Sequence, residues 1–378
     1  MQRGQYAESA EHALWFWENV MRINPAYSGV RHSYLVTLLG DLVFQVPSLR
    51  DRLVAWLPRY APWAARLPAL ANLGDAVPGL ARLGEKLLGL SAKRSLPKWR
   101  GDAFLARARS GVADSSLEQR EVVLLVDTFN NYFEPDNARA ALTVLEAAGY
   151  RVHLARAADG GRPLCCGRTF LASGLVDEAR AEAKRTIAAL QPYVARGLPI
   201  IGLEPSCLYT LRDEFKSMLP GADTDALGAC ATLFEEFLAA QNQAGSLKLK
   251  LHALPQKKAL LHGHCHQKAF GAMSSVEQVL RLVPGLDVKT VESSCCGMAG
   301  AFGYEAEHYE VSMKMAEASL LPALRNTGAD TLLVADGTSC RHQIRDGLNS
   351  GAEPGVAERG AVHVAQVLAR ALAASAGG

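Results

Sequence analysis

The chain has 378 residues, enough to bury at least one large core and to divide into two or three domains of ordinary size. Hydrophobic residues at 49% and charged residues at 21% are ordinary globular values, and a formal net charge of +2 is too small to suggest a nucleic-acid binder. The apolar stretch from Tyr34 to Phe44 is interrupted by Asp41 and is too short to span a bilayer, and no secretory pattern follows Met1, so a cytoplasmic protein is expected.

The first part of the chain reads as helical. Between Arg50 and Ser110 it carries twelve Lys and Arg against four acids, and Pro58, Pro62, Pro68 and Pro78 cut it into short amphipathic helices. Two readings stay open: a solvated basic face over a small helical core, or a docking surface for an acidic partner or an anionic membrane. A linker from Gly111 to Gln119 follows, and the pattern then changes to alternating strands and helices.

Glu121 to Asp127 reads as a buried strand, Pro135 to Ala148 as a helix, Arg151 to Leu154 as a strand, Leu175 to Arg196 as a long helix, and Pro199 to Leu203 as a strand. After a helical pattern from Asp225 to Ala240 the same order returns. Ala259 to His262, Asp287 to Val291 and Thr331 to Ala335 are strands, with helices over Ser275 to Leu282 and Tyr304 to Arg325. The expected fold is α/β, with two tandem pseudo-symmetric units of mainly parallel sheet preceded by an α-helical segment. The boundaries fall at residues 1–115, 116–255 and 256–378.

The repeat is in register at its cysteines. Cys165-Cys166-Gly167 returns as Cys295-Cys296-Gly297, an offset of 130, and Ser206-Cys207 returns as Ser339-Cys340, an offset of 133. Eight cysteines with two adjacent pairs, no signal peptide and a long chain favour reduced metal-ligating thiols over disulfides. Both cysteine loops of each unit fall at the carboxyl ends of parallel strands, where such sheets bind ligands. The second unit adds Cys265, within His262-Gly263-His264-Cys265-His266, which makes four thiolates there and three in the first unit.

Four thiolates from separate loops are the ligand set of an iron–sulfur cluster or a structural zinc site. Adjacent cysteines do not easily face a single tetrahedral ion but can reach different irons, so the pattern favours iron–sulfur. Ser206 and Ser339 occupy expected helix N-cap positions, which puts Cys207 and Cys340 in first turns where thiolate is stabilised. Gly167 and Gly297 suit positive φ or a close backbone approach to sulfur. His264 and His266 are candidates for ligation, hydrogen bonding to sulfide, or proton handling. Arg341 and His342 could offset cluster charge. Cys230, outside the repeat, reads as core. Gly297 to Gly303 has a G-x-x-G-x-x-G spacing that fits a cluster-enclosing loop better than a phosphate-binding turn.

At DTFNNYFEPDNARAAL from Asp127, GRPLCCGRTF from Gly161, GLEPSC from Gly202, HGHCHQKAFGA from His262, SSCCGMAGAFGYEAEHYEVSMKMAE from Ser293 and VADGTSCRHQI from Val334, the chain resembles the CCG-type cysteine-rich domain family. That family includes one of the heterodisulfide reductase subunits and the iron–sulfur subunits of glycolate oxidase and anaerobic glycerol-3-phosphate dehydrogenase. The likeness covers about residues 116 to 375 and looks closest to the carboxyl-terminal module of fused FAD-linked oxidase and iron–sulfur proteins.

The resemblance implies a four-iron cluster, [4Fe-4S] or noncubane, in each intact unit. Cys265, Cys295, Cys296 and Cys340 would be metal ligands in one unit and Cys165, Cys166 and Cys207 in the other. It implies an oxidoreductase component that passes electrons from a FAD-linked oxidase partner, acting on glycolate, D-lactate or D-2-hydroxyglutarate, to a quinone or soluble carrier. A ferredoxin-like subunit and peripheral attachment at the inner face of the membrane through the partner are compatible with it.

Three departures from the family pattern stand out. Thr128 replaces the first cysteine of the first unit, Thr210 and Gln343 replace the second cysteine of a C-x-x-C pair, and no ferredoxin run or flavin-binding domain is present. FAD is thus expected on the partner only, and the chain is expected not to oxidise a hydroxy acid unaided. A zinc-stabilised interaction scaffold for a flavoprotein and a heterodisulfide-type thiol–disulfide reductase are the alternatives.

Overall fold

A computed structural model describes residues 48–77, 79–108, 120–293, 295–328, 330–350 and 358–373. Of the compact unit Met1–Leu53 the described part is the start of a helix at Leu49. The other unit, Val54–Gly378, carries both sheets and all eight cysteines. The apolar stretch at Tyr34 to Phe44 and the linker at Gly111 to Gln119 lie outside the described residues. Among the described residues no helix is long and apolar enough to cross a membrane.

The N-terminal segment is a run of short helices, α1 (Leu57–Ala64), α2 (Pro68–Ala71), α3 (Leu73–Ala76) and α4 (Leu80–Leu88); Pro58 and Pro68 stand in the first turns of α1 and α2, whereas Pro62 lies inside α1 without breaking it and Pro78 lies outside the described residues. The α/β part begins with β1 (Arg120–Leu124), α5 (Thr128–Tyr132), α6 (Pro135–Ala147), β2 (Tyr150–Leu154), α7 (Val176–Val194), β3 (Ile200–Gly202) and α8 (Pro205–Arg212). It continues through α9 (Ala222–Cys230), β4 (Ala231–Leu233) and α10 (Phe234–Gln243). Then come β5 (Lys258–Leu261), α11 (Cys265–Ala269), α12 (Met273–Leu280), β6 (Asp287–Thr290), α13 (Tyr309–Glu317), α14 (Leu320–Arg325), β7 (Thr331–Val334), α15 (Thr338–Asn349) and α16 (Val364–Ala373).

Two all-parallel sheets result, ordered β2-β1-β3-β4 and β6-β5-β7. In each, the first strand of the repeat lies in the middle, with Leu124 opposite Leu154 and Ile201, and Leu261 opposite Thr290 and Val334. Such an order puts a topological switch point between β1 and β3 and between β5 and β7, with a ligand crevice beyond their carboxyl ends.

Strand alternation sorts the side chains into three cores. Val122, Leu124, Leu261 and Val334 point into one core shared by both sheets, which α6, α12 and α16 complete through Leu145, Leu280 and Leu368. Val123 and Ile200 face a second core beneath α7 and α8. Leu333 and Ala335 face a third, which contains Cys296, Met298 and Cys340.

Two sequence expectations fail locally. The helical pattern from Asp225 to Ala240 is broken by β4, because Ala231–Leu233 pairs with β3 and satisfies its backbone in the sheet rather than in a helix. The expected helix from Tyr304 to Arg325 is two helices, since Ser319 leaves the helical region at φ −156°, ψ −40°, and Pro322 sits in the first turn of α14, where its missing N–H costs nothing.

Because the shared core ties α12 to both sheets, Leu280→Ala is expected to destabilise the protein by about 2–5 kcal/mol, and the two sheets should unfold in one transition. Chemical denaturation followed by far-ultraviolet circular dichroism and by Trp fluorescence checks both the magnitude and the coincidence.

Candidate metal centre

In the second unit three strand ends deliver the thiols. β5 runs on to His262, whose N–H donates to Val334 O at 2.8 Å, and α11 begins three residues later with Cys265 as its first residue. The start of α11 is fixed by a reciprocal cap: His264 Nδ1 accepts from His266 N–H at 3.1 Å, and Gln267 Oε1 accepts from His264 N–H at 3.0 Å. β6 leads to Cys295 and Cys296. β7 leads to α15, where Cys340 is the third residue.

The sulfurs form a continuous row. Cys296 and Cys340 share a hydrogen bond at 3.4 Å, and Cys295 interacts with both Cys296 and Cys265. One end of the row is buried, with Cys296 3% and Cys340 1% exposed, while Cys295 is half-buried and Cys265 is exposed. The expected convergence of these four residues is present, and the site opens to the surface at Cys265.

Gly297 makes the Cys-Cys turn possible. Its N–H points at Cys295 Sγ (3.3 Å), its φ is +88°, and a Cβ there would lie 2.2 Å from Ser312 O on α13. Gly167 repeats the geometry, with its N–H 3.3 Å from Cys165 Sγ and φ +78°, but its Cβ would lie 3.0 Å from Ala179 O.

Ionising four adjacent thiols is self-limiting. Hydrogen bonds from Cys265 and Cys296 hold Cys295 far below the ordinary thiol range, and the same contact with Cys295, with burial added, pushes Cys265 up. Cys296 rises through its contacts with Cys295 and Cys340 and through burial. A thiolate at one position thus opposes the next, and only an added positive charge relieves all four.

His262 is the residue that sequence reasoning passed over. One of its ring nitrogens and the sulfurs of Cys296 and Cys340 all lie within 4.8 Å of one another. Ser293 Oγ takes Nδ1 at 2.9 Å, and the ring also interacts with the Cys340 thiol. Parity carried the signal: Ala259 and Leu261 face the shared core, so Leu260 and His262 face the side that holds the cysteines. His264 caps α11 and stacks on His266 at 5.2 Å, and Cys340 is held well below the ordinary thiol range by its hydrogen bond with Cys296 first and then by its contact with His262. His266 is held neutral by burial, its pKa lowered to about 4, and lies toward Tyr209 and Phe270.

The first unit keeps the scaffold and changes the chemistry. Thr128, buried, opens α5 as Cys265 opens α11, each four residues beyond its strand. Asp127 takes the capping place of His264, accepting from the N–H groups of Phe129 (2.9 Å) and Asn130 (3.0 Å). Cys165, Cys166 and Cys207 are all buried. A hydrogen bond with Cys166 favours thiolate at Cys207, but burial and the Asp127 and Glu204 carboxylates outweigh it and push the thiol up to about 12. Burial and Glu204 also raise Asp127 to about 6. Cys230 is half-exposed at the end of α9 and packs against the first unit's core.

Two placements correct the sequence reading. The N-caps are Glu204 and Gly337, not Ser206 and Ser339, which sit one residue inside their helices; Cys207 and Cys340 remain in first turns. The basic N-terminal segment is not wholly a solvated face. Ser91 N–H donates to Tyr304 O at 2.7 Å, and the buried Arg94 guanidinium donates to Gln343 (2.6 Å), Asp346 (3.3 Å) and Ser312 (3.4 Å), bracing α13 and α15 on either side of the Cys295 loop.

Gly297→Ala combines a positive φ, worth about 1–3 kcal/mol, with the clash at Ser312 O. It is expected to destabilise the protein more than Gly167→Ala, and urea denaturation of the two variants side by side checks the order.

The cysteine-rich domain family CCG matches two stretches, residues 128–212 and 259–345. One anaerobic glycerol-3-phosphate dehydrogenase subunit of Escherichia coli (strain K12) is 28% identical over 299 residues, 79% of this chain and 73% of its own length. D-2-hydroxyglutarate dehydrogenase of Pseudomonas putida is 28% identical over 309 residues, 79% of this chain but 28% of its own, so the chain spans under a third of that relative. Lactate utilization protein A of Bacillus velezensis is 25% identical over 224 residues, 57% of this chain and 87% of its own. The matched stretches contain both Cys-Cys-Gly turns and every cysteine except Cys230. The chain carries two copies of the cysteine-rich CCG domain.

Proposed function

We propose that this chain is the iron–sulfur electron-transfer component of a flavin-dependent dehydrogenase, and that its second unit holds one [4Fe-4S]-type cluster through Cys265, Cys295, Cys296 and Cys340. The supporting observation is the row of four thiols at the switch point of the second sheet, with His262, His264 and Lys268 as its charged or chargeable neighbours. The donor set fits the group: soft sulfur ligands on three loops, a glycine N–H aimed at sulfur, and a mutual repulsion that a cluster's irons would cancel. When bound, the cluster supplies one-electron redox chemistry.

The protein's own part is to gather the ligands, to bury the Cys296–Cys340 end, and to leave the Cys265 end open to a redox partner. Cys165, Cys166 and Cys207, lacking a fourth thiol at Thr128 and facing Asp127 and Glu204, would hold no cluster of this kind. The relatives are named for dehydrogenation of glycerol 3-phosphate and D-2-hydroxyglutarate and for lactate utilization. We take the electron donor to be a FAD-linked dehydrogenase of a 2-hydroxy acid, with a ferredoxin-like module next in line and a quinone or soluble carrier as acceptor. A structural zinc site is the second reading, favoured by the compact group His262, Cys296 and Cys340.

Peripheral membrane attachment fits the N-terminal helices, where Trp63, Leu67, Leu70 and Leu87 are exposed and the Arg66 guanidinium lies 4.8 Å above the Trp63 ring. The protein is expected to co-sediment with phosphatidylglycerol vesicles and to lose that binding in the Leu67→Asp, Leu70→Asp double variant. Wild-type protein left in the supernatant would rule the attachment out.

Anaerobic purification should yield brown protein with iron and acid-labile sulfide in equal amounts, and Cys340→Ser should lose both. Stoichiometric zinc without sulfide would select the scaffold reading.

A further inference from the structure

The first unit has lost a cysteine, yet two of its acids reach the helix that presents Cys340. Glu204 caps its own helix, α8, with Oε1 accepting from Ser206 Oγ at 2.8 Å and more loosely from Ser206 N–H at 3.4 Å. Its other oxygen crosses to the second unit and accepts from the N–H of Thr338, the first residue of α15, at 2.8 Å. The capping place of α15 is Gly337, which has no side chain to offer. That helix therefore borrows its cap from the other unit. Glu134 makes the second hold: its carboxylate accepts from both Nε (2.9 Å) and Nη2 of Arg341, whose guanidinium also donates to Ala335 O at 2.8 Å and Thr338 Oγ1 at 3.1 Å.

We propose that Glu204 is a positioning residue shared by the two units, one carboxylate holding the first turns of the helices that carry Cys207 and Cys340. The first unit is then an arm of the second unit's site, whether or not it binds anything itself. The alternative, that Glu204 merely fills a polar gap, makes no distinction between these two cysteines and the others. The functional weight of the inference rests on Cys340 being a cluster ligand, but its test reads the metal-free protein.

Two substitutions act on the same contact from opposite sides. Glu204→Gln discharges the acceptor while keeping its shape. Thr338→Pro removes the N–H it accepts, and with it the Oγ1 that accepts from Arg341; proline suits the first position of a helix, Gly337 at φ −82°, ψ 131° already has the backbone a proline requires before it, and α8 begins with Pro205 at the same position.

In metal-free protein, iodoacetamide labelling followed by peptide mapping should find Cys340 protected in the wild type and labelled several-fold faster in both variants. Cys207 should also speed up in Glu204→Gln but not in Thr338→Pro, while Cys165 stays protected in both. The double variant should label Cys340 no faster than Thr338→Pro alone, since that substitution already deletes the hydrogen bond that Glu204→Gln weakens. In iron-loaded protein, release of iron to a chelator should accelerate in the same order. Unchanged protection of Cys340 in both variants would overturn the proposal, and so would equal exposure of Cys165, Cys207 and Cys340, which would make Glu204 a determinant of the whole fold. A wild type that binds no iron but shows the expected labelling pattern would remove the cluster reading and leave the shared cap standing.

Discussion

Cys296 and Cys340 touch through their sulfurs, 3.4 Å apart and out of reach of water, though 44 residues separate them in the chain. That contact is a consequence of strand order. With β5 in the middle and β6 and β7 on its flanks, all parallel, the three carboxyl ends emerge side by side, and the residues after each strand are delivered to one place. Gly297 then lets the chain turn beneath Ser312 with its N–H on Cys295, and the first turn of α15 brings Cys340 to meet it. The crowding costs the thiols their independence: each one's ionisation opposes its neighbour's, so the arrangement is stable as a set of thiolates only around positive charge.

The same scaffold twice over, with different side chains at equivalent places, separates what the fold requires from what the chemistry requires. Both units keep the positive-φ glycine, the thiol on the third residue of the helix after the third strand, and a capped short helix after the first strand. They part after the first strand. Cys265 and its cap His264 in one unit become Thr128 and Asp127 in the other, which removes a thiol and substitutes an acid for an imidazole. The second unit is suited to surround a positively charged metal centre. The first is a buried trio of protonated thiols beside carboxylates, and it contributes Glu134 and Glu204 to its neighbour.

Much of this was legible before any coordinates. The duplicated Cys-Cys-Gly and Ser-Cys spacings, each following an apolar run, are enough to place the sulfurs at one sheet edge, because a parallel sheet allows ligands little other room. The features that stayed hidden depend on tertiary contacts with no local signature. β4 is three residues long and lies between two helices whose periodicity runs straight through it, so only its pairing with β3 reveals it. The N-caps fall on Glu204 and Gly337, one residue before the helices that contain the more familiar capping residues Ser206 and Ser339. Arg94 looked like one cation among many on a basic surface; its burial between α13 and α15 follows from a docking that composition does not encode.

The central claim is that one metal–sulfur centre sits in the second unit and none in the first. Anomalous diffraction at the iron edge from crystals grown without oxygen locates it directly. A single cluster of iron density bounded by Cys265, Cys295, Cys296 and Cys340 is expected. Iron density at Cys165, Cys166 and Cys207 with none beside Cys340, or no iron density in protein that is fully folded, would contradict it.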